Sequence, residues 1–313
     1  MNSESNKKQA VRLETVSTNH DGQRIDNFLA HCLKGVPKNA IYRMIRTGQV
    51  RINGGRCKPD RRVIAGDAVR IPPVRVTDGE PVVLSPGIIA QVRATTLYED
   101  DDFLVVNKPV GMAVHSGSGL PWGLIDAVRQ ARPEDFFELV HRLDRETSGC
   151  LVLARSGQAL RHLSGLFRDG TVRKKYLCLM DGVLNEDRVT VNEAIRKVSR
   201  GGESIMEVHA DGKPAITHFK RLQTLPGSTY VEVELVTGRT HQIRVHAAHL
   251  GLPLAGDERY GSPASVRKWK KIGLNRLFLH AHHLSFSGPG SGILTFDAPL
   301  PDALREVLDS LSA

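Results

Sequence analysis

The chain has 313 residues, 40% of them hydrophobic and 25% charged, and carries a formal net charge of +9. That length can bury the cores of two domains, while no apolar run approaches the roughly 18 residues that cross a bilayer and the opening MNSESNKKQAVRLE lacks the apolar centre of a signal peptide. A cytoplasmic protein without membrane association is expected, and the four cysteines, Cys32, Cys57, Cys150 and Cys178, form no CxxC pair, which argues against a disulfide framework or a zinc ribbon.

In chain order, residues 1–22 read as a loose polar leader. RIDNFLAHCL then places Ile25, Phe28, Leu29 and Leu33 at helical spacing, and Pro37 opens a second helix, PKNAIYRMIRTG, that Gly48 ends. On that helix Ile41, Met44 and Ile45 share an apolar face, which leaves Arg43 and Arg46 to point elsewhere. QVRINGGR alternates Val50 and Ile52 against Arg51 and reaches the hairpin signal Asn53-Gly54. DAVRIPP supplies a further strand. From Arg24 to Arg75 twelve Lys or Arg stand against three acids (Asp26, Asp60, Asp67), an excess equal to the net charge of the whole chain. Positive charge concentrated on one small module predicts a polyanion partner, because each neutralised phosphate releases condensed counterions. Two short helices followed by small strands, with arginines on exposed faces, resemble the S4-type RNA-binding domain over residues 23–75. Arg43, Arg46, Arg51 and Arg62 are its expected RNA contacts.

Residues 76–94 read as a linker, and 95–313 as a second domain with many strands. TTLYEDDDFLVVNKPVG holds the buried run Leu104-Val105-Val106; FELVHRL, GCLVLAR, KKYLCLMDG, STYVEVELVTG and RLFLHAHHLSF add further strands. GLIDAVRQARP and GQALRHLSGLFRDG show helical periodicity. The layout is α+β, not a strict βαβ alternation. No GxGxxG or Walker loop follows a strand, so a nucleotide cofactor is not expected.

VHRLDRETSG, residues 140–149, sets five ionisable side chains between two apolar strands. Asp144 is the central candidate: a carboxylate ionised at neutral pH and held on rigid scaffolding can act as a nucleophile. The alternative is an aspartate that caps the turn or pairs with Arg142 or Arg145.

HRLDRETSG, the KKY segment around Tyr176, GRTHQIRVH, LAGDERYG and NRLFLHA resemble the motifs of the pseudouridine synthases that modify ribosomal large-subunit RNA, and the likeness runs from about residue 20 to the end of the chain. It implies a pseudouridine synthase fold with a mixed, largely antiparallel central sheet, Asp144 as the catalytic aspartate, Arg244 pairing with it, and Tyr176 stacking on a flipped-out uracil. It also implies that Arg142 enters the space the base leaves. The expected activity is isomerisation of specific uridines of 23S ribosomal RNA, by a monomer and without cofactor or metal. Attack at C1′, attack at C6 and a glycal route all remain open to Asp144, and Tyr176 is a possible base for the C5 proton, although a phenol titrating near about 10 would need help.

Two other classes compete with this reading. A non-catalytic RNA-binding ribosome-assembly factor would keep the fold without turnover. A hydrolase of a glycosidic bond would need two carboxylates roughly 5 to 10 Å apart, for which Glu146 and Asp257 are the evident partners of Asp144. His241, His246 and His249 would share one face only if their segment is helical, and HAHH at 280–283 lacks the spacing of a three-ligand site. His241, His246 and His280 are read as packed or hydrogen-bonded residues near the pocket, and Asp257 and Arg259 as structural ion-pair partners.

Overall fold

The computed structural model describes residues 11–33, 36–74, 82–117, 120–200, 203–290 and 292–312, apart from the side chains of Arg200 and Glu203. The chain forms two compact units, residues 1–84 with 156–158 and residues 85–155 with 159–313. In the first, the apolar faces of α1 (Ile25–Cys32) and α2 (Lys38–Arg46) cover a four-stranded sheet of order β1-β4-β2-β3. The strands are β1 (Arg12–Thr15), β2 (Arg51–Ile52), β3 (Gly55–Arg56) and β4 (Ala68–Ile71). Ile25, Phe28, Leu29, Ile41, Ile45, Val50 and Val69 close the core. Asn53 and Gly54 take positive φ, 50° and 79°, as the tight β2–β3 turn requires.

The expected leader is structured at its end: Arg12–Thr15 pairs antiparallel with Ala68–Ile71, because the Arg12–Thr15 stretch alternates and the outer edge of β4 needs a hydrogen-bonding partner. Residues 1–10 lie outside the described residues. Of the expected linker, 76–81 lie outside them too, while Pro86–Ala94 forms helix α3, capped by Ser85, whose hydroxyl accepts from the N–H of Ile88.

The second unit continues with β5 (Thr96–Glu99), β6 (Phe103–Lys108), α4 (Leu124–Ala131), β7 (Glu138–Leu139), β8 (Ser148–Ala154), α5 (Gly157–Asp169) and β9 (Arg173–Met180). There follow β10 (Arg188–Asn192), β11 (Ile195–Arg200), β12 (Glu203–Val208), β13 (Ile216–Leu225), β14 (Ser228–Leu235), α6 (Gln242–His249) and α7 (Pro263–Lys271). β15 (Leu279–Ser287), β16 (Ile293–Asp297) and α8 (Asp302–Ser312) end the chain. The central sheet has ten strands in the order β10-β13-β14-β9-β15-β8-β6-β5, with β16 on β15 and β7 on β8. Every pairing in it is antiparallel except β15 with β8. β8 is buried at all seven positions, which is why GCLVLA reads as a continuous apolar run and not as an alternating one. Among the described residues no helix is long and apolar enough to cross a membrane.

That parallel pairing depends on a glycine. Gly149 has φ +116° and faces Ala281, and a Cβ there would fall 2.2 Å from the Ala281 carbonyl oxygen. The last residues of HRLDRETSG can therefore enter the sheet directly, which anchors the loop before them.

Candidate active site

The loop between β7 and β8 carries residues 140–147 and forms one wall of a cavity of about 520 Å³. Arg142, Asp144, Lys174, Tyr176, His241 and Arg244 are among its lining. Their positions follow from the sheet: β8 begins, β14 ends and β15 begins at this edge, and Tyr176 stands on β9 opposite Val233 of β14. The segment 237–242 completes the wall. It is pinned by buried Gln242, whose Oε1 accepts from the Thr237 hydroxyl (2.8 Å) and the Arg239 N–H (3.0 Å) while its Nε2 donates to the Ile216 carbonyl and Thr217 Oγ1 (both 2.9 Å).

The Asp144 side chain is 17% exposed, within the cavity. Its carbonyl accepts from the N–H of Thr147 at 3.1 Å, so the turn is held by backbone and the carboxylate is left to face the cavity. His241 Nε2 stands 3.9 Å from Asp144 Oδ2, and neither Arg142 nor Arg145 pairs with that carboxylate. His241 is strained, a non-glycine residue at φ 55°. Its Nδ1 lies 2.8 Å from the Tyr260 hydroxyl, which also accepts the N–H of Met206. With Tyr260 donating its proton to Nδ1, the Nε2–H of His241 points at Asp144. Burial lowers the pKa of His241 and the charge of Asp144 partly offsets this, so the net direction is down.

Arg244 does not pair with Asp144 as expected. Its Nε and Nη2 make a bidentate fork to Asp257, at 2.8 and 2.7 Å, and its Nη1 lies 3.5 Å from Glu146. Both partners of the fork are buried, 4% and 1% exposed. Asp257 wins because the GDERYG turn offers both of its oxygens in the plane of the guanidinium, the geometry in which two charge-assisted bonds form at once. The charge of Asp144 still bears on Arg244 at longer range. Burial pulls the Arg244 pKa down, but the bonded Asp257 more than offsets it and the net direction is up. Arg259 relates to Asp257 through its backbone N–H, at 2.9 Å. The Tyr260 ring packs under the Arg244 guanidinium, 5.2 Å from Cζ to centroid, and so ties the ion pair to His241.

Tyr176 is 8% exposed, and burial first, then the charge of Asp144, push its phenol above the ordinary range. Tyr176 therefore lines the cavity as a neutral phenol. Arg142 is exposed on the loop with no carboxylate within 4.0 Å among the described residues. Arg43, Arg46 and Arg62 are exposed in the first unit; Arg51 is half-buried and donates to the Gly54 carbonyl at 3.1 Å. His246, on α6, has Nδ1 2.8 Å from Thr217 Oγ1 and Nε2 3.0 Å from the Glu193 carbonyl, so both ring nitrogens are occupied.

Two lysines escaped the sequence reading. Lys108 is fully buried and donates to the carbonyls of Pro109 (2.9 Å), Met112 (2.7 Å) and Arg145 (3.3 Å), tying β6 to the loop between β7 and β8. Burial first, then Arg276, lower its pKa to about 7, against the charges of Asp144 and Glu146. The available signal was a lysine ending the apolar strand FLVVNK, since a buried ammonium requires acceptors at its tip. Lys174 lines the cavity, with Nζ 6.0 Å from the Phe167 ring centre, and burial lowers its pKa.

Two histidines, His280 buried and His141 half-buried, make stability depend on pH. His280 sits between Ser148 Oγ (2.9 Å) and the Ala298 carbonyl (3.2 Å), and burial brings its pKa to about 4. His141 accepts the Val152 N–H on Nε2 at 3.0 Å, and burial first, then Lys174, bring its pKa to about 3. The unfolded chain takes up both protons from about pH 6.5 downward while the folded chain does not, so stability is full above that pH and falls as pH drops through the window. A urea midpoint that declines steadily from pH 6.5 to 5 is the expected result, above the range where carboxylates titrate. A flat midpoint over those values would refute it.

Comparison with known proteins places these features. A family described as RNA pseudouridylate synthase matches residues 102–249, and the S4 domain matches residues 23–69. The chain is 46% identical, over 96% of its length and 97% of the relative, to ribosomal large subunit pseudouridine synthase C of Escherichia coli K12. It is 44% identical, over 96% of its length and 95% of the relative, to the protein of that description from Haemophilus influenzae. Among solved structures, human RNA pseudouridylate synthase domain containing 4 matches with a TM-score of 0.60 and 25% identity, covering 72% of this chain and 97% of that one.

Proposed function

The chain belongs to the RNA pseudouridylate synthase family of isomerases, with an S4 domain at its N-terminal end, and from that premise we propose that it converts specific uridines of ribosomal large-subunit RNA to pseudouridine with Asp144 as the reacting carboxylate. The observation that carries this reading is the cavity that Asp144, Tyr176 and His241 line together, with His241 Nε2 3.9 Å from Asp144 Oδ2. A uridine flipped from folded RNA enters there and stacks on Tyr176, and Arg142, free of carboxylates at the rim, fills the gap it leaves. The relatives named for the ribosomal large subunit support that RNA as the substrate and the cytoplasm as the place of work.

The reaction breaks the N1–C1′ bond, joins C5 to C1′, transfers hydrogen from C5 to solvent and returns a proton to N1. Product and substrate are isomers, so no electron carrier or energy source is required. Asp257 is spent on Arg244 and Glu146 lies 3.5 Å from Nη1 of the same guanidinium, so both carboxylates that a glycosidase would add to Asp144 already face Arg244.

The test is tritium release from large-subunit RNA transcribed with uridine labelled at C5, together with a search for free uracil. Release without uracil is the expected result. Uracil in the products, or no release from protein that binds the RNA, would overturn the reading.

Arg43, Arg46, Arg51 and Arg62 supply phosphate contacts in this account. None has a carboxylate within 4.0 Å among the described residues, so their charge is available. Replacing all four by Gln is expected to lower the slope of log affinity against log salt by about 3, at about 0.7 to 0.9 per phosphate. Fluorescence anisotropy over 50 to 300 mM salt reads it, and an unchanged slope would remove these residues from the interface.

A further inference from the structure

A second cavity, of about 630 Å³, lies behind the catalytic loop. Arg142, Asp144 and Thr147 line the first cavity, whereas Arg145 and Glu146 line the second, and Arg244 lines both. The loop thus contributes to the walls of both cavities and partitions them. The second cavity joins an apolar floor, Leu274 and Leu277 with half-buried Val266, to a ring of cations, Arg145, Arg259, Lys270 and Arg276.

The charges there are unevenly matched. Its two acids are taken: Glu258 pairs with Lys270 at 2.8 Å and Glu146 lies 3.5 Å from Arg244. Arg276 has no carboxylate within 4.0 Å among the described residues. Its half-buried guanidinium donates only to neutral groups, the Leu277 carbonyl (3.2 Å), Ser148 Oγ (2.7 Å) and the Leu279 carbonyl (3.4 Å). Those acceptors hold Nε and Nη2 and leave Nη1 unbonded. Burial lowers its pKa to about 10, still far above neutrality, so the group remains charged. Arg145 donates to the Gly111 carbonyl at 3.0 Å and likewise meets no carboxylate among the described residues. A desolvated guanidinium without an anion is costly, and its planar fork suits a phosphate better than any neutral acceptor.

We propose that the second cavity is a subsite for a nucleotide flanking the target uridine, with its phosphate on Arg276 and Arg145 and its base against Leu274 and Leu277. The proposal rests on the reading of the first cavity as the uridine site. One RNA strand crossing the partition would place the target base on one side and its neighbour on the other. RNA recognition would then come from two pockets that share Arg244, in addition to the basic first unit.

The experiment is anisotropy of the full-length protein with a large-subunit RNA fragment at several salt concentrations, for the parent, Arg276→Gln, Arg276→Lys and Arg145→Gln, alongside tritium release by the parent. Each Gln variant is expected to bind roughly tenfold or more weakly, the scale of a lost charge-assisted bond, with the salt slope reduced by about 0.7. Arg276→Lys should keep the slope and lose part of the affinity, which a purely structural role for Arg276 would not produce. Arg276 also holds Ser148, so if Arg276→Gln does not fold, exposed Arg145→Gln carries the test. Turnover by the parent with parental affinity and slope in the Gln variants would overturn the subsite while leaving the uridine site standing. No turnover by the parent would remove the premise, and the subsite with it.

Discussion

Asp144→Asn is expected to abolish tritium release, a loss on the order of 10⁴-fold or more, while RNA affinity stays within a few-fold of the parent. The magnitude follows from removing the only carboxylate among the described residues that line the cavity, the kind of change that costs most in enzymes with a dedicated reacting group. Retention of affinity follows from where the phosphate contacts lie: the amide keeps the shape of the cavity wall, and the turn is held by the Asp144 carbonyl and not by the carboxylate. The variant should also keep its melting temperature. Turnover within about tenfold of the parent would show that another group reacts with the nucleoside, and His241, 3.9 Å away, would be the first to replace.

Asp257→Ala carries the largest expected loss of stability, about 3–5 kcal/mol, because it removes both short bonds from the Arg244 guanidinium in a site that is 4% exposed and leaves it only the half-exposed Glu146 at 3.5 Å. Asp257 also accepts the backbone N–H groups of Arg259 (2.9 Å) and Tyr260 (3.0 Å), so the turn that seats Tyr260 under Arg244 loosens in the same step. His241 then loses its partner, and catalysis should fall with stability. A denaturant series that compares midpoint and slope is the check: the midpoint should drop with the slope unchanged. Asp257→Ala with Arg244→Met should recover part of the loss, since the double replacement removes the unpaired charge. A loss below about 1 kcal/mol for Asp257→Ala would mean that water reaches the guanidinium.

Legibility in the sequence differed between elements for physical reasons. The two helices and the Asn53-Gly54 hairpin of the first unit were readable because their signals are local: apolar spacing, a proline at the start, a glycine at the end and a pair of residues that tolerates positive φ. β8 was readable as a buried run. β1 was not, because four alternating residues become a strand only when β4 supplies the other half of the ladder. Helix α3 was hidden by the prolines and glycine around its start, which mark turns as readily as helix caps. The long β13–β14 pair was seen in one strand only, since the exposed face of β13, with Lys220 and Gln223, weakens its alternation.

The site divided in the same way. Asp144, Tyr176 and Arg244 stood out in the text, and all three line one cavity. The partners of Arg244 did not, because a guanidinium chooses among Asp144, Glu146 and Asp257 by direction and distance, and those are set when the GDERYG turn folds against α6. Lys108 and His241 took their meaning from neighbours distant in the chain: the acceptor at Arg145 for the lysine, and Tyr260 and Asp144 for the histidine.

By itself, then, the sequence determined the basic module and its polyanion partner, the apolar strands and the carboxylate on a turn between two of them, because charge density, periodicity and turn chemistry are properties of adjacent residues. Tertiary structure alone decided that Asp257 holds Arg244, that His241 stands 3.9 Å from Asp144, that Tyr176 is buried in the cavity wall, and that a second cavity lies beside the loop that carries Asp144. Each of those depends on burial and on distances between residues far apart in the chain, and both quantities exist only after the sheet has closed.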